Sequence, residues 1–96
     1  MAQIPVPMLN GDNYGIWSVK MKTLLFSQDL WDIVHDGYTT YPTDHTLTDA
    51  EKVKLKEDQK QDSKALFLIQ QGVAEIIFSR IISATKSKEA WDLLQQ

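Results

Sequence analysis

The sequence predicts an all-α fold: a compact bundle of about five helices preceded by an extended, proline-containing arm. Three observations lead there. Apolar residues recur at helical spacing in several stretches of the 96-residue chain. No run alternates apolar and polar residues between hairpin turns. Residues that cap helices or form turns fall at the edges of the periodic stretches rather than inside them.

The first element is the arm. Ile4-Pro5-Val6-Pro7-Met8-Leu9 interleaves apolar residues with proline. Each proline fixes its own φ and biases its predecessor toward extended backbone, so residues 1–13 are expected as an arm closing on the turn Asn10-Gly11-Asp12-Asn13. Ile4, Val6, Met8 and Leu9 form a candidate interaction arm. Four such residues are ill suited to water and are expected to cover the protein's own helices. Exchange with a neighbouring chain and competition with an apolar peptide ligand are the alternatives.

Residues 14–96 are expected to form one helical lobe. Asn13 is placed to cap a helix from Tyr14 to Phe26, in which Trp17, Met21, Leu24 and Leu25 stand at i, i+4, i+7 and i+8. Ser27 and Asp29 are expected to open a short second helix through Leu30, Trp31, Ile33 and Val34, which Gly37 ends. Tyr38 to Leu47 has no apolar period and reads as a loop. Thr48-Asp49-Ala50-Glu51 then has the spacing of a capping box and begins a long helix. From Asp49 to Lys64 that helix carries five lysines and five acids, so its first half is expected in water, with Asp58 and Asp62 as a repulsive i,i+4 pair. Ala65, Leu66, Ile69 and Val73 pack, and Gly72 marks the end.

A fourth helix is expected around Ala74 to Ile82, with Ile77 and Ile81 on one face. Ser87 is placed to cap a fifth helix containing Trp91 and Leu94. The expected core is therefore Trp17, Met21, Leu24, Trp31, Ile69, Ile77, Ile81 and Trp91. The last periodic segment reaches Gln96 without a C-terminal cap, and truncation of a longer chain is expected.

Composition excludes several classes of function. Without cysteine there is no disulfide, no thiolate zinc site and no cysteine nucleophile. Ten basic against thirteen acidic residues, a formal charge of -3, argue against a nucleic-acid clamp. No apolar stretch approaches the eighteen or so residues of a membrane span, and no basic, then apolar, leader opens the chain. A cytoplasmic protein without membrane contact is expected.

Nothing in the sequence assembles a reaction centre, and no cofactor is expected. His35 and His45 are separated by a loop, with Asp32, Asp36 and Asp44 nearby, and nothing makes them converge. Asp49, Glu51, Glu57, Asp58 and Asp62 lie on a lysine-studded helix where ordinary ionisation is expected. The four glycines form no phosphate-binding loop. Base stacking on tryptophan needs neighbouring cations: Trp17 has Lys20 and Lys22, but Trp31 is flanked by Asp29 and Asp32, which repel phosphate.

Leu9-Asn10-Gly11-Asp12-Asn13-Tyr14, Trp17, Met21, Leu30-Trp31-Asp32-Ile33-Val34 and Gly37-Tyr38 resemble the opening of the Gag polyprotein of copia-type LTR retrotransposons. Ala65-Leu66-Phe67-Leu68-Ile69, Ile76-Ile77 and Ser87-Lys88-Glu89-Ala90-Trp91-Asp92-Leu93-Leu94 are similar to the same family in the same order. The resemblance implies a lobe like the N-terminal part of a retroviral-type capsid. It also implies a structural self-assembly role in virus-like particles that package element RNA. The implied partners are other Gag copies, with RNA met only indirectly through a downstream region. The alternatives are a domesticated Gag-derived adaptor that binds apolar peptides in a groove near the arm, or a truncated Gag that interferes with assembly. No catalytic residue carries over.

Overall fold

The computed structural model describes residues 5–96, and its fold is all-α, with five helices among those residues. They are α1 (Tyr14–Ser27), α2 (Trp31–Asp36), α3 (Asp49–Gln71), α4 (Glu75–Phe78) and α5 (Ser87–Leu94). Helices α2, α3 and α5 pack on one another, and α1 packs on α2. The molecule measures 46 × 31 × 20 Å; α3 with its 23 residues accounts for about 34 Å of helix at 1.5 Å rise per residue.

Helix α1 buries Trp17, Met21, Leu24 and Leu25, the residues whose spacing defines its inner face. Its start differs from the expected cap. The Asn13 side chain makes no bond to the helix; its Oδ1 accepts from the Asn10 N–H at 3.0 Å and its Nδ2 donates to the Met8 carbonyl at 2.9 Å. Asparagine fastens the turn before the helix instead of the helix itself, a local competition open to any short polar side chain.

The junction of α1 and α2 also departs from expectation. Ser27 is the last residue of α1, and Leu30, not Ser27, precedes α2. The Leu30 N–H donates to the Leu25 carbonyl at 2.8 Å and the Asp29 N–H to the Phe26 carbonyl at 3.0 Å. With Asp29 at φ 58°, these are the two bonds and the left-handed residue of a Schellman motif. Asp29 therefore closes α1, where glycine is the usual choice, and Asp32 supplies the acid in the first turn of α2.

Helix α3 opens with the capping box. Thr48 Oγ1 accepts from the Glu51 N–H at 3.1 Å, and Glu51 Oε1 accepts from the Thr48 N–H at 2.9 Å. Gly72 ends the helix at an ordinary φ of -88°, so backbone freedom is not why a glycine stands there. A Cβ on Gly72 would run into Met21 Cε and sit 3.0 Å from the Pro7 carbonyl oxygen. A side chain there would need Met21 to swing its methyl away and the arm to give by a few tenths of an ångström.

Helix α4 is four residues long, shorter than the stretch to Ile82 expected from sequence; turns carry the chain from Ser79 to Ser83. Crowded apolar residues from Ile76 to Ile82 do not sustain a single helical face, yet Ile77 and Ile81 both reach the core. Ser87 is the first residue of α5 and makes no local cap; Lys86 precedes the helix with no side-chain bond. The donors at the start of α5 are met by Asp62 of α3, as described below.

Candidate functional site

The expected core residues sort cleanly by position. Trp17, Met21, Leu24, Ile69, Ile77, Ile81 and Trp91 are buried, while Trp31 is half-buried and packs against the cluster from outside. Trp17 and Trp91 stack with centroids 5.5 Å apart, and Trp31 meets Trp91 edge-on at 5.3 Å. Three indoles from α1, α2 and α5 thus form one aromatic seam.

The arm residues divide. Ile4 lies outside the described residues. Leu9 is 2% exposed and forms a parallel bridge with Val73: its N–H donates to the Gly72 carbonyl at 2.7 Å, and its carbonyl accepts from the Ala74 N–H at 2.8 Å. Val6 packs on the core, whereas Met8 is exposed. The Pro7 carbonyl accepts from Trp17 Nε1–H at 3.1 Å, giving a buried indole its partner.

The histidines do not converge. His35 Nδ1 lies 2.8 Å from Asp36 Oδ1; His45 Nε2 lies 3.2 Å from Glu51 Oε1 and its ring stacks on Tyr41 at 4.9 Å. No group of three or more His, Asp or Glu residues able to hold a metal is present among the described residues. Hydrogen bonds from the Thr48 backbone, and then from His45, hold the Glu51 carboxyl below its ordinary pKa. Burial, followed by the carboxylates Asp62 and Asp58, pushes the Tyr38 phenol above its own. Burial also raises Tyr14.

The charged half of α3 is less solvated than its composition predicts. Asp58 and Asp62 are both buried, and the repulsion expected between them is relieved by separate partners. Lys54 Nζ donates to Asp58 Oδ1 at 2.6 Å. Asp62 Oδ1 accepts from both the N–H and the Oγ–H of Ser87, at 3.1 and 2.6 Å. An aspartate of α3 therefore caps α5 across 25 residues of sequence. Sequence reasoning missed this pair because neither residue stands in a local motif with the other; only the i,i+4 placement of two acids amid apolar spacing hinted at an inward face.

Two surface features remain. The outer side of α1 is apolar as well as the inner: Ile16, Val19 and Phe26, at i, i+3 and i+10, are 67%, 65% and 54% exposed. A helix with apolar residues on opposite faces has one more face than its own fold covers. The second feature is an open cleft of about 540 Å³ between α1, α2 and α5, whose lining includes Val19, Lys22, Trp31, Lys88, Trp91 and Asp92. Lys22 Nζ lies 4.9 Å from the Trp31 ring centroid. Asp29 and Asp32, which flank Trp31 in sequence, border a depression against α3 and share a smaller one with Phe26 and Trp31 itself.

Residues 9–35 match a family model described as a domain of unknown function, DUF4219. No curated protein and no solved structure matches the chain. No helix is long and apolar enough to cross a membrane among the described residues.

Proposed function

We propose that this chain is a structural self-assembly module, the N-terminal capsid-type lobe of a retrotransposon Gag, and that it acts by docking against further copies rather than by catalysis. The observation that carries this reading is the outer stripe of α1. Ile16, Val19 and Phe26 are exposed apolar residues along one side of a helix whose other face is fixed in the core, so they are presented rigidly. Shell-forming subunits need such a face, because each contact is weak alone and is multiplied by symmetry. The ordered resemblance along the chain supports the same reading, and the DUF4219 match falls on its first part, residues 9–35.

Analytical ultracentrifugation tests it. The wild-type chain is expected to self-associate weakly, with a dissociation constant around the millimolar level, or about 4 kcal/mol. The double variant Ile16→Asp, Phe26→Asp is expected to stay monomeric while melting at nearly the wild-type temperature, since neither side chain belongs to the core. A wild-type chain that remains monomeric at millimolar concentration, or a variant that associates equally well, sinks the reading.

A further inference from the structure

Of the three indole N–H groups, only that of Trp17 has an acceptor among the described residues, the Pro7 carbonyl at 3.1 Å. Trp91 is 5% exposed, yet no buried side-chain nitrogen or oxygen is without a partner. Its Nε1 is therefore not fully enclosed, and Trp91 borders the cleft between α1, α2 and α5. The Trp31 N–H likewise has no acceptor among the described residues, and the Trp31 side chain borders the same cleft as well as the small depression beside Asp29 and Asp32. Two indoles line one open space.

The charges around that space are unequal. Lys88 is tied to Asp92 at 3.2 Å, and His35 to Asp36 at 2.8 Å. Lys22 has no carboxylate partner among the described residues, sits over Trp31, and belongs to a helix with two lysines and no acid. On a chain with net charge -3, this is a local cationic spot set on an aromatic floor.

We propose that the cleft is a docking site for an acidic peptide. The peptide's carbonyl oxygens accept from the Trp91 and Trp31 N–H groups, a carboxylate meets Lys22, and an adjoining apolar side chain lies on the indole seam. The molecule already shows how an indole holds an extended segment, in the bond from Trp17 to Pro7. The cleft's volume falls within the few hundred to a thousand cubic ångströms of ordinary ligand sites. The cleft adjoins the outer side of α1 and shares Val19 with it, but the proposal does not depend on the assembly reading.

The test is a 1H–15N titration of the full chain with the capped pentapeptide Glu-Asp-Leu-Glu-Phe, following the three indole cross-peaks. Those of Trp31 and Trp91 are expected to shift saturably while that of Trp17 stays put. Lys22→Glu is expected to weaken binding at least about tenfold, Lys22→Gln less, and raising salt from 50 to 500 mM to weaken it for the wild type. Melting curves of both variants show whether the fold is retained, and because Lys22 is exposed they are expected to match the wild type. Four outcomes overturn the proposal: no shift at Trp31 and Trp91, equal binding of the uncharged Gln-Asn-Leu-Gln-Phe, indifference to Lys22→Glu, or a response to AMP in place of the pentapeptide.

Discussion

At the scale of single residues, the sharpest dependence is that of Asp62. It is 3% exposed and is the acceptor for two donors of Ser87. Asp62→Ala leaves a buried N–H and hydroxyl without a partner, which costs on the order of 2–4 kcal/mol, readable by urea denaturation. Asp62→Asn keeps one acceptor oxygen and is expected to cost less. If the two variants are equally stable with wild type, the pairing contributes nothing to α5. Asp29 makes the opposite case. It occupies a left-handed position at φ 58° where an L side chain is strained and glycine is not. Asp29→Gly is therefore expected to raise stability by about 0.5–1 kcal/mol, visible as a higher melting temperature. Neither residue betrays its role in the local sequence. Asp29 precedes an apolar run and looks like the start of a helix, and only the Leu25–Leu30 bond shows it ending one. Asp62 stands 25 residues from Ser87, beyond any local pattern.

Elements were legible in proportion to their length and to how local their signals are. Helices α1 and α3 announce themselves because Trp17, Met21 and Leu24, or Ala65 and Ile69, repeat over several turns, and because Thr48 and Glu51 satisfy each other three residues apart. Helix α4 is too short to show a period, and neighbouring isoleucines made it look longer. The cleft was illegible for a related reason: the local sequence shows only Asp29 and Asp32 beside Trp31, and the fold adds Lys22 of the preceding helix over its ring. The capping box offers a prediction at this scale. Thr48→Ala removes the acceptor of the Glu51 N–H and is expected to cost about 1 kcal/mol. Because Glu51 has a lowered pKa in the folded chain, its contribution is present above its unfolded pKa and is lost as pH falls through the folded value. Glu51→Gln is thus expected to flatten the loss of stability on the acid side of about pH 4.5. An unchanged acid limb in pH-dependent denaturation would refute that assignment.

For the whole molecule, the question is what joins a first helix to a core built by α2, α3 and α5. The indole seam supplies one link, with Trp17 of α1 on Trp91 of α5. The arm supplies the other, since Leu9 is clamped between the carbonyl of Gly72 and the N–H of Ala74 while Pro7 holds the Trp17 N–H. Removing the arm therefore acts in three ways together: an apolar side chain leaves the core, two backbone bonds open, and the Trp17 indole is left unsatisfied beside a cavity. Leu9→Ala performs the first alone and is expected to cost about 2–4 kcal/mol; a chain starting at Asn10 performs all three and is expected to lose more. Against a domain stability of about 5–15 kcal/mol, that chain is expected to unfold at a much lower urea concentration than Leu9→Ala. Gly72→Ala probes the same junction from the other side: its methyl meets Met21 and the Pro7 carbonyl, so Met21 must move and the arm must give by a few tenths of an ångström. If Gly72→Ala disturbs the Trp17 indole cross-peak while those of Trp31 and Trp91 hold, the arm closes α1 onto the end of α3 independently of the cleft. If all three move together, the two ends of the seam are a single unit and the arm is part of it.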